Sequence, residues 1–250
     1  NMTIYQSIKE KLAAAEAVIV CAGEAFAREE GVTPLVFDEN SEEGFWGAVS
    51  QGIVAQNAHY TASEMMNQLK ALLKDKPYFI VTNCTDNHFE LAGFDAARLY
   101  EVDGSWKNMQ CVRGCDDVLY ASAGRLEAMS EAVVDGRISA KIVPYCPICG
   151  APVRMNVASQ VRQFIPNHDA DAAFSSFAKS QVNAKLVVLE LGMAQDNQNI
   201  RPALVNLVRF SPEATYVSVN AEHVLAPEEI ANKFIGCKES CADALKALAQ

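Results

Sequence analysis

Tyr78-Phe79-Ile80-Val81-Thr82, running on through Asn83-Cys84-Thr85-Asp86-Asn87-His88-Phe89-Glu90-Leu91-Ala92-Gly93, opens the stretch whose reading decides the fold. Cys146-Pro147-Ile148-Cys149-Gly150 closes it. A short apolar run that breaks into polar residues has the form of a parallel strand buried on both faces. Asp86 then falls just past the carboxyl end of that strand, where ligands bind in open α/β sheets. A second run, Arg98-Leu99-Tyr100-Glu101-Val102, leads into Asp103-Gly104-Ser105. Two cysteine pairs follow, Cys111 with Cys115 and Cys146 with Cys149.

Zinc takes four soft or borderline ligands in a tetrahedron, and paired thiolates on two short knuckles supply that shape. The two-residue gap between Cys146 and Cys149 brings both sulfurs to one point, and Gly150 lets the backbone turn tightly behind them. Cys111-Val112-Arg113-Gly114-Cys115 is the looser knuckle, with one more residue and its own glycine. Two disulfides or four free thiols are the competing readings. Nothing in the sequence looks secreted, so a structural zinc site on Cys111, Cys115, Cys146 and Cys149 is favoured. Between the pairs, 123–133 is the candidate helix of a small lobe.

Working outward, three further apolar runs read as buried strands: Ala17-Val18-Ile19-Val20, Leu186-Val187-Val188-Leu189-Glu190-Leu191, and Thr215-Tyr216-Val217-Ser218-Val219. Helical spacing or helix punctuation covers 4–15, 45–56, 61–74, 87–91, 169–182, 201–210, 227–235 and 238–248. Thr61 with Glu64 offers a capping box, and Asp86 an N-cap for the short helix that follows it. His88 is expected on a helix surface and His168 in a loop. Cys237 and Cys241, one turn apart, could share a helix face; buried or partly exposed thiols are the favoured reading. This alternation predicts an α/β fold: a Rossmann-like parallel sheet with helices on both faces. The cysteine pairs add an inserted zinc-ribbon lobe. The expected division is 1–104 with 157–250 for the Rossmann-like domain and 105–156 for the four-cysteine zinc-binding lobe.

The chain of 250 residues is half hydrophobic, enough for one large core with a small lobe. Its formal net charge of -10 argues against nonspecific binding to nucleic acid or anionic membranes. No apolar run approaches the ~20 residues of a membrane span. The run 17–21 is too short for a signal-peptide core. Eight cysteines without an export signal fit a reducing cytoplasm.

Several of these segments together resemble the sirtuins. That family carries Thr-Gln-Asn-x-Asp, a following Ala-Gly, a His-Gly before the zinc module, and the cysteine pairs. Here the corresponding residues are Thr82 to Asp86, Ala92-Gly93, Asp103-Gly104 and the four cysteines. The bacterial class M sirtuins, which resemble protein ADP-ribosyltransferases more than deacylases, are similar in further detail. Phe89, Ala92-Gly93-Phe94-Asp95 and Met155-Asn156 stand where their pattern has the same residues. The resemblance covers roughly 17–220.

The resemblance implies NAD as a cofactor, with Ala22 and Gly23 in the first strand-to-helix turn, Asp86 at the nicotinamide end, and Gly192 and Asn220 bordering the adenosine ribose. It implies a protein substrate or protein partner, and it places a mobile cofactor loop between Glu30 and Trp46. It makes Asp103 the residue facing the nicotinamide ribose, where deacylating sirtuins have histidine and class M members glutamine. The family asparagine falls on Cys84, leaving Asn83 as the nearest substitute. Glu24 follows the glycine turn, and Met193 and Ala194 replace hydroxyl residues after Gly192. Two readings follow: an NAD-dependent protein ADP-ribosyltransferase or deacylase with impaired activity, or a degenerate sirtuin fold acting as a binding or scaffold module. A cleft filled by Phe26, Met193 or Glu24 would favour the second.

Overall fold

A computed structural model describes residues 2–250. Helix α1 (Ile4–Ala14) opens the chain on a capping box at Thr3, whose hydroxyl accepts from the Gln6 N–H. It leads into β1 (Ala17–Ala22), buried along its whole length. Four more strands of the main sheet match the apolar runs: β2 (Tyr78–Thr82), β3 (Leu99–Glu101), β7 (Leu186–Leu191) and β8 (Thr215–Val219). The sixth, β9 (Phe234–Cys237), departs from the helix expected over 227–235. There, 228–233 forms only 3-10 turns with a kink at Ile230, and the chain then pairs with β8. Unsatisfied N–H and C=O groups on the β8 edge make that pairing favourable. The sheet order is β3-β2-β1-β7-β8-β9, all neighbours parallel. The order reverses between β1 and β7, the kind of switch point where open α/β sheets bind ligands.

Helices cover both faces of this sheet. On one side α1, α4 (Glu64–Leu73) and α9 (Cys241–Leu248) enclose a core with Val18, Val20, Ile80 and Val217. On the other, α7 (His168–Ser180) and α8 (Arg201–Phe210) pack over Ile19, Phe79, Val188 and Tyr216. The α/β class, with helices on both faces, is as expected. A second, antiparallel sheet has the order β5-β4-β6, formed by β4 (Gly104–Cys111), β5 (Tyr120–Ala121) and β6 (Val153–Val157). Helices α3 (Glu42–Asn57) and α6 (Arg125–Glu131) close its core around Trp46, Val49, Met109 and Met155.

Other local expectations need correction. The N-cap of α4 is Ser63, accepting from the Met66 N–H at 3.1 Å, so Thr61 forms no capping box. Cys237 lies on a strand and Cys241 begins a helix, so they share no helix face. His168 is the first residue of α7 rather than a loop residue. No helix among the described residues is long and apolar enough to cross a membrane.

Candidate active site and metal centre

The cleft is assembled from strand ends. At the end of β2 the Thr82 hydroxyl donates to the Ala22 carbonyl at 2.8 Å and accepts from the Cys84 N–H at 2.9 Å. That pair of bonds turns the chain off the sheet. The Cys84 thiol is buried and lies 3.2 Å from the Gly23 carbonyl, where it can donate. Cys84 thus serves the turn, and with its neighbours Asn83, Thr85 and Asp86 it also lines a cavity of ≈ 680 Å³.

Asp103 reaches the same cavity from the other wall. Its position is fixed by the backbone: Ala158 N–H donates to the Asp103 carbonyl at 2.9 Å, and Trp106 N–H donates to the Thr85 carbonyl at 2.8 Å. Gly104 makes this possible. Its φ is +96, and a Cβ there would meet the Asn156 carbonyl oxygen at 1.8 Å. Gly104 is therefore a steric requirement of the junction with the second sheet. Trp106 and Gln160 complete that wall, and Leu35 and Phe37 from the 31–41 loop also line the cavity.

The cavity is acidic. Glu24, the first residue of the short helix α2 (Glu24–Glu29), joins Asp86 and Asp103 in its lining, against a single cation, Arg28. Burial raises the Asp86 carboxyl above its ordinary range, opposed by the neighbouring His88. Burial, then the charge of Glu24, raises Asp103. Orphaned polar atoms also border it: the side-chain oxygens of Asn83 and Gln160 are buried without a partner. Such atoms are the mark of a site that expects a donor from a ligand or water.

Not every residue expected at the cofactor lies open to the cavity. Ala22 is buried in β1. Gly23 and Gly192 are packed against each other's turns; a Cβ on Gly23 would meet the Gly192 oxygen at 2.5 Å. The second N–H of α2, that of Ala25, donates to the Gly192 carbonyl. Asn220 spends its side chain internally, donating to the Met193 carbonyl at 3.0 Å and accepting from the Glu222 and His223 N–H groups. Phe26 and Met193 are core residues and do not fill the cavity. Arg154 grips Glu42 with two bonds of 2.7 Å and is structural. His88 is not on a surface: it is 4% exposed, because α5 (His88–Leu91) starts inside the fold. Sequence reasoning missed Trp106, Gln160 and the surroundings of His88, since contacts between distant segments leave no local pattern.

The four cysteine sulfurs lie within 4.8 Å of one another. Cys111 and Cys149 are 3.6 Å apart, and Cys115 and Cys146 3.5 Å. Four sulfurs at a Zn–S distance of about 2.3 Å would be about 3.8 Å apart in a tetrahedron, so the donor set fits zinc. Burial pushes Cys111 up, but the N–H groups of Cys115 and Arg113 outweigh it and bring the thiol down to about 7. Hydrogen bonding with Cys149, then burial, pushes Cys115 the other way. Adjacent sulfurs that compete for protons are well served by a divalent cation.

Searches of known structures return this arrangement repeatedly. Sir2Tm bound to a propionylated peptide superposes with a TM-score of 0.66 at 15% identity, covering 96% of this chain and 95% of that one. A Sir2–p53 peptide–NAD+ structure gives 0.64 at 15%, covering 98% and 96%. A Sir2 homologue mutant in complex with ADP-ribose gives 0.65 at 12%, covering 98% and 94%. The chain has the sirtuin fold. Among curated proteins, one called protein ADP-ribosyltransferase, from Staphylococcus aureus strain Mu50, is 23% identical over 203 residues. That match takes in 80% of this chain and 64% of the relative's own length. No protein-family model matches. The resemblance read from the sequence is borne out, and the two sheets are those of a sirtuin-like Rossmann fold with a four-cysteine ribbon beside it.

Proposed function

We propose that the cleft receives the nicotinamide–ribose end of NAD and that the chain transfers ADP-ribose to a protein, with weakened cofactor affinity. The observation that carries this reading is the meeting of Asn83, Asp86 and Asp103 in one open cavity between the two sheets. Bound NAD would supply an activated glycosidic bond to nicotinamide. On this reading Asp103, held by the Ala158 N–H and by Gly104, accepts a ribose hydroxyl hydrogen bond and stabilises positive charge developing on the sugar. Asp86 and the orphaned oxygen of Asn83 accept from the amide of the nicotinamide. Leu35, Phe37 and Trp106 exclude water around them. Lysine deacylation is the less favoured reaction, because it asks for proton transfer near neutral pH and a histidine at position 103.

The weakened affinity rests on the other half of the site. Glu24 places a carboxylate at the start of α2, the Ala25 N–H is already taken, and the Asn220 side chain is engaged within the fold. A diphosphate there meets the repelling carboxylate of Glu24, offset in part by Arg28 on the same helix. These same features favour the second reading, a binding or scaffold module. We place a structural zinc on Cys111, Cys115, Cys146 and Cys149, and take 1–104 with 157–250 as the NAD-binding-type domain and 105–156 as the inserted lobe. The expected setting is the cytoplasm. Transfer of label from adenylate-labelled NAD to protein, lost in Asp103→Ala, supports transferase activity. Labelling that persists undiminished in Asp103→Ala removes Asp103 from the mechanism.

A further inference from the structure

Behind Asp86 three side chains converge: Glu30 at the end of α2, Asn57 in the last turn of α3, and His88 in α5. The Tyr60 ring lies over the imidazole, with centroids 4.2 Å apart. Asn57 donates through Nδ2 to the Asp86 carbonyl at 2.9 Å. The reverse amide orientation would set Oδ1 against that carbonyl oxygen, so Oδ1 is the atom that faces His88. It stands 2.9 Å from Nε2. An amide oxygen only accepts, and Nε2 therefore carries a proton.

The other ring nitrogen has a different environment. Nδ1 faces Glu30 Oε2 at 3.6 Å and Asp86 Oδ1 at 3.9 Å, and makes no hydrogen bond. A bare lone pair there would point at two carboxylates. A proton on it turns both repulsions into attractions, in surroundings that screen them weakly. Glu30 is anchored independently, accepting from Tyr60 at 2.9 Å and from the Ser63 hydroxyl. Burial pushes its carboxyl up, but the nearby His88 ring and the Ser63 and Tyr60 hydroxyls outweigh it and hold it below the ordinary range. Asp86 has its Oδ1 fixed by the His88 N–H at 2.9 Å. Cys84 and Glu101 also bear on Asp86, and neither is a cation. Among the described residues no Lys or Arg pairs with Glu30 or Asp86, leaving His88 as their counter-charge.

We propose that His88 is a positioning residue of the cleft: held as an imidazolium between Glu30 and Asp86, it keeps Asp86 ionised and aimed at the ligand. Its consequence for binding rests on the reading of the cleft as a ligand site. Its charge state belongs to the free chain and is tested without any ligand.

The test uses the zinc-loaded full chain labelled with 15N-histidine, whose four histidines are few enough to assign through the spectrum of His88→Gln. Long-range 1H–15N correlation at pH 7 should show both His88 nitrogens protonated. A neutral ring with bare Nδ1 overturns the proposal, and this spectrum of the unmodified chain decides even if the variant folds poorly. In 13C spectra, His88→Gln should move the Asp86 carboxyl midpoint upward by about one pH unit, a tenfold change in its ionisation constant. An unmoved midpoint would show that His88 only packs, and would also overturn the proposal. NAD titrations should then show weaker binding in His88→Gln than in the parent chain, with the gap widening as pH falls toward the Asp86 midpoint. If the parent binds no NAD while the ring is charged and the Asp86 midpoint moves, the cleft reading fails and the His88 assignment stands.

Discussion

Arg201 donates from Nε to Glu190 across 3.0 Å, with both side chains buried. Glu190 sits on β7 beside the switch point, and its other partners are Tyr216, Ser218 and Gln195. Arg201 also bonds the Gln195 side chain and the Leu225 carbonyl, at 3.0 and 2.8 Å. This network ties the loop after Gly192 to the start of α8 and to the loop after β8. Removing one partner of a buried pair leaves an uncompensated charge, which typically costs about 3–5 kcal/mol. Arg201→Met should therefore lower the unfolding free energy by about that amount in urea titrations. A loss below ~1 kcal/mol would mean the pair is hydrated and unimportant.

The cysteine cluster predicts stoichiometric metal. Elemental analysis of purified protein should find one zinc per chain, and Cys146→Ser should lose it. Since α3 and α6 share a core with the small sheet, metal loss should expose Trp46 and Trp106 and shift their fluorescence to the red. Metal-free protein with unchanged fluorescence would separate the cysteines from the stability of the lobe.

Glu101 makes stability depend on pH. Burial pushes its carboxyl up to about 8, against the opposing charge of Lys107. The folded state then holds a proton that the unfolded state releases near pH 4.5. Stability from this group is present at low pH and falls as pH rises from about 4.5 to 8. Glu101→Gln, which cannot ionise, should flatten that part of the profile in chemical denaturation at several pH values. A profile as steep as the parent's would assign the slope elsewhere.

Asp103 and Glu24 should act on different quantities. Loss of a group that stabilises charge in the transition state usually costs about 10²–10³ in turnover. Asp103→Ala should show such a fall with little change in NAD affinity. Glu24→Gln should instead tighten NAD roughly two- to five-fold, about the effect of removing one carboxylate from beside a bound anion. Equal effects of both variants on affinity and turnover would contradict this division of roles.

Much of this arrangement could be read in the chain. Buried strands such as Leu186–Leu191 show as unbroken apolar runs because both faces are covered, and the knuckle Cys146-Pro147-Ile148-Cys149-Gly150 shows because metal geometry demands close sulfurs. The strand Phe234–Cys237 was hidden: it is a short edge strand, preceded by a proline and acidic residues that suit a helix start. The burial of His88 was hidden too, because its partners Glu30, Asn57 and Tyr60 come from distant parts of the chain. The internal use of Asn220 is likewise invisible locally, since its acceptor Met193 lies 27 positions away.

The most direct test of the central claim is calorimetric titration of the zinc-loaded chain with NAD. The account predicts saturable one-site binding, tightened by Glu24→Gln and weakened by Asp86→Asn. No heat at millimolar NAD, in either the parent or Glu24→Gln, would contradict it and turn the cleft into a feature of a binding module.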